Sequence, residues 1–462
     1  MKKIYYYLFF FLFLTTVSCS SSIIEEDEVP ADEELIEESI EEDEAPQDLE
    51  HPNILLIIAD DVSLDATPNY LEDLNAIKPE MPNLEKLMNN GLVFDNAWAY
   101  ARCSPTRASI ITGKHGVQNG IKAPGGNVSL SSSHKSLQSY INENTSNAYS
   151  TAVFGKWHLG HDVDHPTNDT KVGTFSGNLS SGVPDYWSYD LIENETLTTL
   201  SSTTDAERME NYSTTKYTQL AMDWRDEQTK PWFIWLAYNA AHTPFHMPDD
   251  YLISNASQGR PSTNLYMYLA MLEAMDYEMG RFIDSMSEAE KENTIIIYVG
   301  DNGTPVRVSQ YTDNDKHCKG SIYQGGINVP FVVSGLGTRV GRESEALVHT
   351  VDLYATIAEL AGVDVSEIYQ SKSVKSLLND AGAASKEYIY TEVPGEGNDN
   401  GHYAVRNATY KLIYEIDTDV KELYDLSADP YEVTNLLIGN LSTTQQENYN
   451  NLLLEGKRVR GE

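Results

Sequence analysis

The 462-residue chain carries 70 acidic and 32 basic side chains, a formal net charge of −38. This charge excludes nucleic acids as partners, because their phosphates would be repelled. Hydrophobic content of 40% and aromatic content of 10% are those of a globular protein, and the length suggests two or three domains. An anionic substrate would need a local basic pocket, since the field of the whole protein opposes it.

The first 19 residues are typical of an export signal. Lys2 and Lys3 precede a mostly apolar run over residues 4–17, which is short for a membrane span. A plain cleaved signal peptide accounts for most of this pattern. Cys19, followed by three serines, also resembles the lipidation site of bacterial lipoproteins. We expect an outer-membrane or cell-surface lipoprotein attached only through lipid at Cys19, or otherwise a periplasmic or secreted protein.

The next segment, residues 20–50, is predicted to be a disordered acidic linker. Residues 25–50 contain 15 acidic and no basic side chains, so the segment cannot bury enough apolar surface to order itself. An α/β domain is expected over residues 51–380 and a C-terminal subdomain over 381–462. The three cysteines of the chain are too few for a disulfide scaffold.

Two apolar runs of strand length end in polar pairs, Asp60-Asp61 and Asp301-Asn302. Continuous apolar strands are typical of a parallel sheet covered on both faces, and open α/β sheets bind ligands at the carboxyl ends of their strands. The four side chains offer only hard oxygen ligands, which suit Ca²⁺ or Mg²⁺. A surface turn is the alternative interpretation of the Asp60-Asp61 pair taken alone.

The stretch around Cys103 combines a reactive side chain with an anion site. Pro105 suits the first turn of a helix, so Cys103 falls beside a helix N-terminus that favours anions. Arg107 offers a fixed guanidinium fork for a tetrahedral oxyanion. A buried structural cysteine is the alternative that these residues alone leave open.

Further basic and imidazole groups follow other predicted strands. Lys156 and His158 lie two residues apart, so they point to one side of an extended turn. His242 follows a strand over residues 231–238 and stands beside prolines that fix its loop. Lys319 precedes a Gly-Gly pair and a proline. Exposed loops and a structural histidine remain the alternatives for these groups.

Taken together, these stretches resemble the motifs of type I sulfatases of the alkaline phosphatase-like superfamily. Residues 103–113 match C-x-P-[ST]-R-x-x-[LI]-x-T-G, and the Lys156, His242 and Lys319 segments are similar to G-K-x-H, H-x-P-[FH] and K-x-x-x-x-E-G-G-x-R-V-P. The C-terminal stretches 406–412 and 423–432 also resemble the family. Gln324 and Asn328 depart from its Glu and Arg.

The resemblance implies an α/β fold with a large central, mostly parallel sheet flanked by helices. It also implies a small C-terminal α+β subdomain that contains an antiparallel sheet. The similarity extends over about residues 52–455, nearly all of the chain after the acidic linker.

The resemblance further implies that Cys103 is converted to formylglycine by a formylglycine-generating enzyme or an anaerobic maturase. A Ca²⁺ ion, or Mg²⁺, would be held by the two polar pairs with residue 103. The cations Lys156, Lys319 and Arg107 would hold the sulfate oxygens. His242 would protonate the leaving alcohol, and His158 would remove the second hydroxyl proton of residue 103.

We therefore expect an enzyme that hydrolyses O-sulfate esters on a sulfated oligo- or polysaccharide. Algal glycans such as ulvan, carrageenan or fucoidan are candidate substrates, contacted by residues 160–211 and 394–402. The residues 160–211 show little periodicity and are interpreted as a long insertion over the site. The alternatives are a phosphate-ester or phosphonate hydrolase of the same superfamily, or an inactive glycan-binding lipoprotein.

Overall fold

The computed structural model describes residues 51–125, 128–313, 315–395 and 401–462. The export signal and the acidic linker predicted for residues 1–50 lie outside the described residues. Among those that are described, no helix is both long and apolar enough to cross a bilayer.

The described chain alternates strands and helices along most of its length. The strands are β1 (Asn53–Ala59), β2 (Gly91–Phe94), β3 (Ala97–Trp98), β4 (Ser150–Lys156), β5 (Thr174–Asn178), β6 (Asp190–Glu193), β7 (Thr196–Thr199), β8 (Trp232–Ala237), β9 (Thr294–Gly300), β10 (Phe331–Gly335), β11 (Arg342–Ser344), β12 (Val348–His349), β13 (Glu367–Ile368), β14 (Ser371–Lys372), β15 (Ile389–Val393), β16 (His402–Arg406), β17 (Tyr410–Glu415) and β18 (Val420–Asp425). The helices are α1 (Pro82–Asn89), α2 (Cys103–Thr112), α3 (Gly116–Asn119), α4 (Leu137–Asn144), α5 (Asp205–Asn211), α6 (Ser213–Asp226), α7 (Asn255–Gln258), α8 (Asn264–Asp284), α9 (Glu288–Glu292), α10 (Gln324–Ile327), α11 (Leu353–Leu360), α12 (Lys375–Asn379) and α13 (Thr443–Arg460).

A ten-stranded sheet forms the centre of the described structure, in the order β11-β2-β10-β9-β1-β8-β4-β5-β6-β7. Strands β9, β1, β8, β4 and β5 run parallel to one another. Strand β10 is antiparallel to both of its neighbours. The expected large, mostly parallel sheet is confirmed.

Both faces of the sheet are buried around β1, which is apolar from Ile54 to Ala59. Leu55, Ile57 and Ala59 pack in a core shared with α8, whereas Ile54, Leu56 and Ile58 pack in a second core shared with α2 and α11. The alternation follows the two-residue period of a strand. Helices on both faces leave the carboxyl edge of the strands as the place for a site.

The C-terminal part forms the expected antiparallel sheet, with strands β15 to β18 in sequence order. Helix α13 covers one face, where Leu452 packs with Tyr403 and Leu412. The other face packs through Ile413 against Trp98. The C-terminal sheet therefore lies directly against the segment that leads to Cys103.

Two sequence expectations need correction. The largely apolar run over residues 92–100 predicts one strand. Strands β2 and β3 are nevertheless separate, because Asp95 and Asn96 lie between them and bond to residues 344–348 instead. Residues 160–211 contain β5, β6, β7 and α5, which the polar composition did not predict. Strand β5 approaches β4 so closely that a Cβ on Gly177 would lie 1.9 Å from the Gly155 carbonyl oxygen.

Candidate active site

Helix α2 begins at Cys103, and its N-cap residue Arg102 is extended. Pro105 lies in the first turn, as its missing N–H allows. The Cys103 side chain is only 2% exposed, and its Sγ lies 3.1 Å from His158 Nδ1. Burial raises the pKa of the thiol, so an unmodified Cys103 is a protonated and weak nucleophile.

The two polar pairs meet at the carboxyl edge because β1 and β9 are parallel neighbours. The Asp61 backbone N–H donates to Asp301 Oδ1 at 3.1 Å, and Asn302 Nδ2 donates to Asp61 Oδ1 at 2.8 Å. Ligand atoms of Asp60, Cys103 and Asp301 lie within 4.8 Å of one another. Two pairs separated by some 240 residues in sequence thus form one oxygen-rich cluster beside Cys103.

A cation accompanies each carboxylate of this cluster. Lys156 Nζ lies 2.5 Å from Asp60 Oδ2, and Lys319 Nζ lies 2.5 Å from Asp61 Oδ1. The carboxylates hold the pKa of Lys319 above its usual value, although burial alone would lower it. Two lysine side chains therefore lie beside Cys103, each paired with a carboxylate of the cluster.

Arg107 occupies a different position from the lysines. It is fully buried, and its guanidinium donates to Asp301 Oδ2 through Nη2 at 2.8 Å and Nε at 3.2 Å, and to the Lys156 carbonyl through Nη1 at 2.9 Å. Since protein groups already engage its fork, the structure shows Arg107 holding Asp301 and does not show it facing a substrate.

The cluster fits a divalent cation. Asp60 Oδ1 and Asn302 Oδ1 are buried without a hydrogen-bond partner among the described residues, and orphaned buried oxygens are costly. Burial and the neighbouring Asp301 raise the pKa of Asp60 well above its usual value, against the effect of Lys156. A hard cation such as Ca²⁺ or Mg²⁺ would bind the unpartnered oxygens and stabilise the ionised form of Asp60.

The two histidines are neutral in this structure. Burial, reinforced by Lys156 and Arg107, lowers the pKa of His158 to about 2. Burial lowers the pKa of His242 to about 4. His242 Nδ1 lies 2.9 Å from the Thr243 carbonyl oxygen; because a carbonyl only accepts, Nδ1 carries the hydrogen. Nε2, 3.9 Å from Asp61 Oδ2, is then free to accept a proton.

The loop that carries Lys319 is held from the C-terminal sheet. Lys411 Nζ donates to the Ile322 carbonyl at 2.8 Å and lies 2.5 Å from Glu432 Oε1. Glu432 Oε2 accepts the Gln324 N–H at 2.6 Å. Both charged side chains are fully buried. Sequence reasoning missed this pair, because nothing local in the sequence reveals which buried charges will meet.

The departures at positions 324 and 328 are accommodated locally. Gln324 Oε1 accepts a hydrogen bond from Trp98 Nε1 at 2.9 Å, and Asn328 Nδ2 donates to the Asp95 carbonyl at 3.2 Å. Both side chains therefore have specific partners, and Lys319 still reaches Asp61.

A tyrosine that sequence reasoning also missed fixes the His242 loop. The Tyr186 hydroxyl lies 2.7 Å from the carbonyl oxygens of both Asn239 and His242. Gly182 contacts the same histidine, since a Cβ there would lie 2.8 Å from His242 Nδ1. Residues of the 160–211 segment thus border the site, although their polar sequence gave no sign of which ones would.

Comparison with known proteins identifies the class. Residues 52–363 match the family model described as Sulfatase, and residues 314–457 match the model of the N-sulphoglucosamine sulphohydrolase C-terminal region. The chain belongs to the sulfatase family, and it is a hydrolase of sulfuric esters.

Named relatives agree with this assignment. Arylsulfatase J of Mus musculus is 30% identical over 69% of this chain, which spans only 54% of that relative's length. N-acetylglucosamine-6-O-sulfatase of Bacteroides thetaiotaomicron is 24% identical over 84% of this chain and 83% of its own. The crystal structure of Ps i-CgsB in complex with k-i-k-neocarrahexaose shares the fold, with a TM-score of 0.71 and 23% identity over 89% of this chain and 93% of its own.

Proposed function

We propose that this protein removes O-sulfate groups from a sulfated oligo- or polysaccharide, using a formylglycine made from Cys103. The observation that carries the proposal is the convergence of Asp60, Asp301 and His158 on the side chain of residue 103. A nucleophile, an anion-stabilising group and proton carriers are what a sulfate ester requires.

Conversion of Cys103 would have to precede folding, because the folded chain leaves only 2% of this residue exposed. A formylglycine-generating enzyme or an anaerobic maturase would supply the change. The hydrated aldehyde carries two hydroxyls, one to attack sulfur and one to lose a proton so that sulfate is expelled. A single hydroxyl, as in serine, would leave a stable ester.

A divalent cation, Ca²⁺ or Mg²⁺, would be held by Asp60, Asp61, Asp301 and Asn302. When bound, it would lower the pKa of a hydroxyl at residue 103, as metals do for bound water. Arg107 would orient Asp301 toward this position through its buried double contact.

The remaining work falls to the lysines and histidines. Lys156 and Lys319 would neutralise charge on the sulfate oxygens. The approaching anion would raise the pKa of His242, so that Nε2 gains a proton and donates it to the leaving alcohol. His158, neutral and 3.1 Å from the side-chain atom of residue 103, would then remove the second hydroxyl proton.

A glycan substrate is supported by the names of the relatives, two of which refer to sugars. Candidate sources are the algal glycans ulvan, carrageenan and fucoidan. Gly182 lies beside His242. It also lines, with Asn178, a cleft of about 490 Å³ that would provide one wall for a sugar.

The test is sulfate release from a panel of sulfated oligosaccharides after co-expression with a formylglycine-generating enzyme. Cys103→Ala is expected to abolish release, whereas Cys318→Ala, a matched change at a second buried cysteine, retains it. Undiminished release by the Cys103→Ala protein would refute the mechanism.

We also propose that the protein is exported and anchored at the outer membrane or cell surface through lipid on Cys19. The basic start, apolar run and serine-flanked cysteine support this localisation. Cys19→Ala should move the protein from the membrane fraction to the soluble fraction. An identical distribution of both proteins would contradict lipid anchoring.

A further inference from the structure

A cleft of about 470 Å³ opens beside the site, between the Lys319 loop and the C-terminal sheet. This volume is in the range of small-ligand sites. Arg102 and Gly320 line this cleft. Arg102 directly precedes Cys103 in the chain, and Gly320 directly follows Lys319. Consecutive Cα atoms lie about 3.8 Å apart, so the cleft begins next to the reacting position.

Arg102 is fixed at this entrance by the backbone. The Gly320 N–H donates to the Ala101 carbonyl at 2.8 Å, which brings the two segments together. The guanidinium lies over Gly320, where a Cβ would come within 3.1 Å of Arg102 Nη2. Gly320 also has a φ of +92°, which strongly favours glycine. The local geometry thus leaves room for the arginine side chain.

The charges of the cleft single out Arg102. Two acids also line the cleft. Glu422 Oε2 accepts from the hydroxyls of Tyr323 and Tyr424, and Glu415 Oε1 lies 3.6 Å from His402 Nε2. Arg102 is exposed, and no ion pair or side-chain hydrogen bond engages its guanidinium within the described residues. An unengaged fork of this kind matches carboxylate or sulfate in a bidentate manner.

The rest of the lining suits a sugar ring. Ile322, Val393 and Ile413 provide apolar surface, and Tyr323 provides an aromatic ring. A sugar residue can place its C–H face on such surface while its charged substituent points to a cation at the rim. The chain as a whole is strongly acidic, so a cation at this position would act locally.

We propose that Arg102 selects substrates by binding a second anionic group, a carboxylate or a sulfate, on the sugar next to the one that loses its sulfate. The inference rests on the proposed glycan sulfatase function and deepens it. Arg102 would touch the substrate away from the reacting atoms, so it would set specificity and leave turnover of small sulfates unaffected.

The experiment uses matched disaccharide sets built on galactose 4-sulfate, rhamnose 3-sulfate, fucose 2-sulfate and N-acetylglucosamine 6-sulfate. In each set the sulfated sugar is joined to a neutral hexose, a uronic acid or a second sulfated hexose. Two quantities are measured on the formylglycine-bearing full chain. They are sulfate release from each disaccharide and inhibition by that disaccharide of 4-methylumbelliferyl sulfate hydrolysis. The protein variants are Arg102→Gln, Arg102→Lys and the control Arg342→Gln, which removes an exposed arginine on strand β11.

In at least one set, the wild type should release sulfate about tenfold or more faster when the neighbouring sugar is charged than when it is neutral. This is the size of effect expected from charge-assisted hydrogen bonds. Arg102→Gln should reduce this ratio to near one, Arg102→Lys should retain part of it, and Arg342→Gln all of it. Hydrolysis of 4-methylumbelliferyl sulfate should stay within twofold in every variant. The disaccharide that is preferred within a set, the uronate or the disulfated one, shows whether Arg102 binds a carboxylate or a sulfate.

Two results would overturn the inference. One is a preference that survives in Arg102→Gln; the other is a wild type that hydrolyses sulfate esters with no preference for a charged neighbour. Both leave the proposed sulfatase function standing. A formylglycine-bearing protein that hydrolyses none of the probes would contradict the proposed function, and the inference with it.

Discussion

Removing one partner of the buried ion pair between Lys411 and Glu432 should strongly destabilise the protein and disturb the placement of Lys319. Neither side chain is exposed, and their charged atoms lie 2.5 Å apart. Glu432→Gln leaves the Lys411 ammonium without its counter-charge. Lys411→Met likewise leaves the Glu432 carboxylate without its counter-charge. Removing one partner of a buried pair costs about 3–5 kcal/mol, so each single variant should lose that much free energy of unfolding.

The double variant Lys411→Met/Glu432→Gln removes both charges and should lie within about 2 kcal/mol of the wild type. Its glutamine keeps an acceptor for the Gln324 N–H. The single effects are therefore expected to be strongly non-additive. Urea unfolding at pH 7, followed by circular dichroism, measures all four proteins.

The pH dependence gives a second readout with a defined sign. Burial lowers the pKa of Lys411 to about 8, although Glu432 opposes the shift, whereas the unfolded value is about 10.4. Between these values the unfolded chain binds more protons than the native one, so stability due to Lys411 rises with pH. The free energy of unfolding of the wild type minus that of Lys411→Met should increase from pH 8 to pH 10.5.

Three results would contradict these expectations for Lys411 and Glu432. They are single variants that lose less than about 1 kcal/mol, a double variant that loses the sum of the two, and a difference that falls or stays flat across the alkaline range. Any of them would mean that the pair does not hold the Lys319 loop as the contacts indicate.

Further predictions concern the site itself. Removal of divalent cations with EDTA should abolish sulfate release and added Ca²⁺ should restore it, with Asp60→Asn needing more Ca²⁺; full activity in EDTA would contradict a metal at this cluster. His158→Asn should slow multiple turnover far more than the first release of alcohol, as stopped-flow measurement of an aryl sulfate can show; equal slowing would place His158 in an earlier step. Folded protein carrying unmodified Cys103 should resist a formylglycine-generating enzyme that converts the peptide of residues 97–113; conversion of the folded chain would show that the residue becomes accessible.

Much of the fold follows from local apolar pattern. The runs that became β1 and β9 are continuous and apolar, so their burial on both faces and their parallel pairing could be predicted. The carboxyl ends of such neighbours meet, which is why Asp60 and Asp301 could be placed together before their contacts were known.

The local apolar pattern predicted strands less well where a strand depends on backbone pairing with a neighbour and not on its own apolar composition. Strand β5 is rich in serine, glycine and asparagine, and it exists because Gly155 and Gly177 let two backbones approach closely. The break between β2 and β3 depends on partners at residues 344–348, far along the chain. Neither cause is visible within a local window of sequence.

The chemistry of individual side chains also depended on distant partners. Arg107 fitted a sulfate by charge and shape, yet Asp301 engages its fork. Lys411 and Glu432 gave no local sign of meeting under the Lys319 loop. His242 needed its bond to the Thr243 carbonyl before its free ring nitrogen could be assigned.

Peptide mass spectrometry across residue 103 shows whether Cys103 becomes formylglycine. The protein is co-expressed with a formylglycine-generating enzyme and assayed in parallel for sulfate release. Formylglycine is about 18 Da lighter than cysteine. We expect this loss at residue 103, with sulfate release proportional to the converted fraction. Full sulfate release from protein that carries only unmodified Cys103 would contradict this expectation.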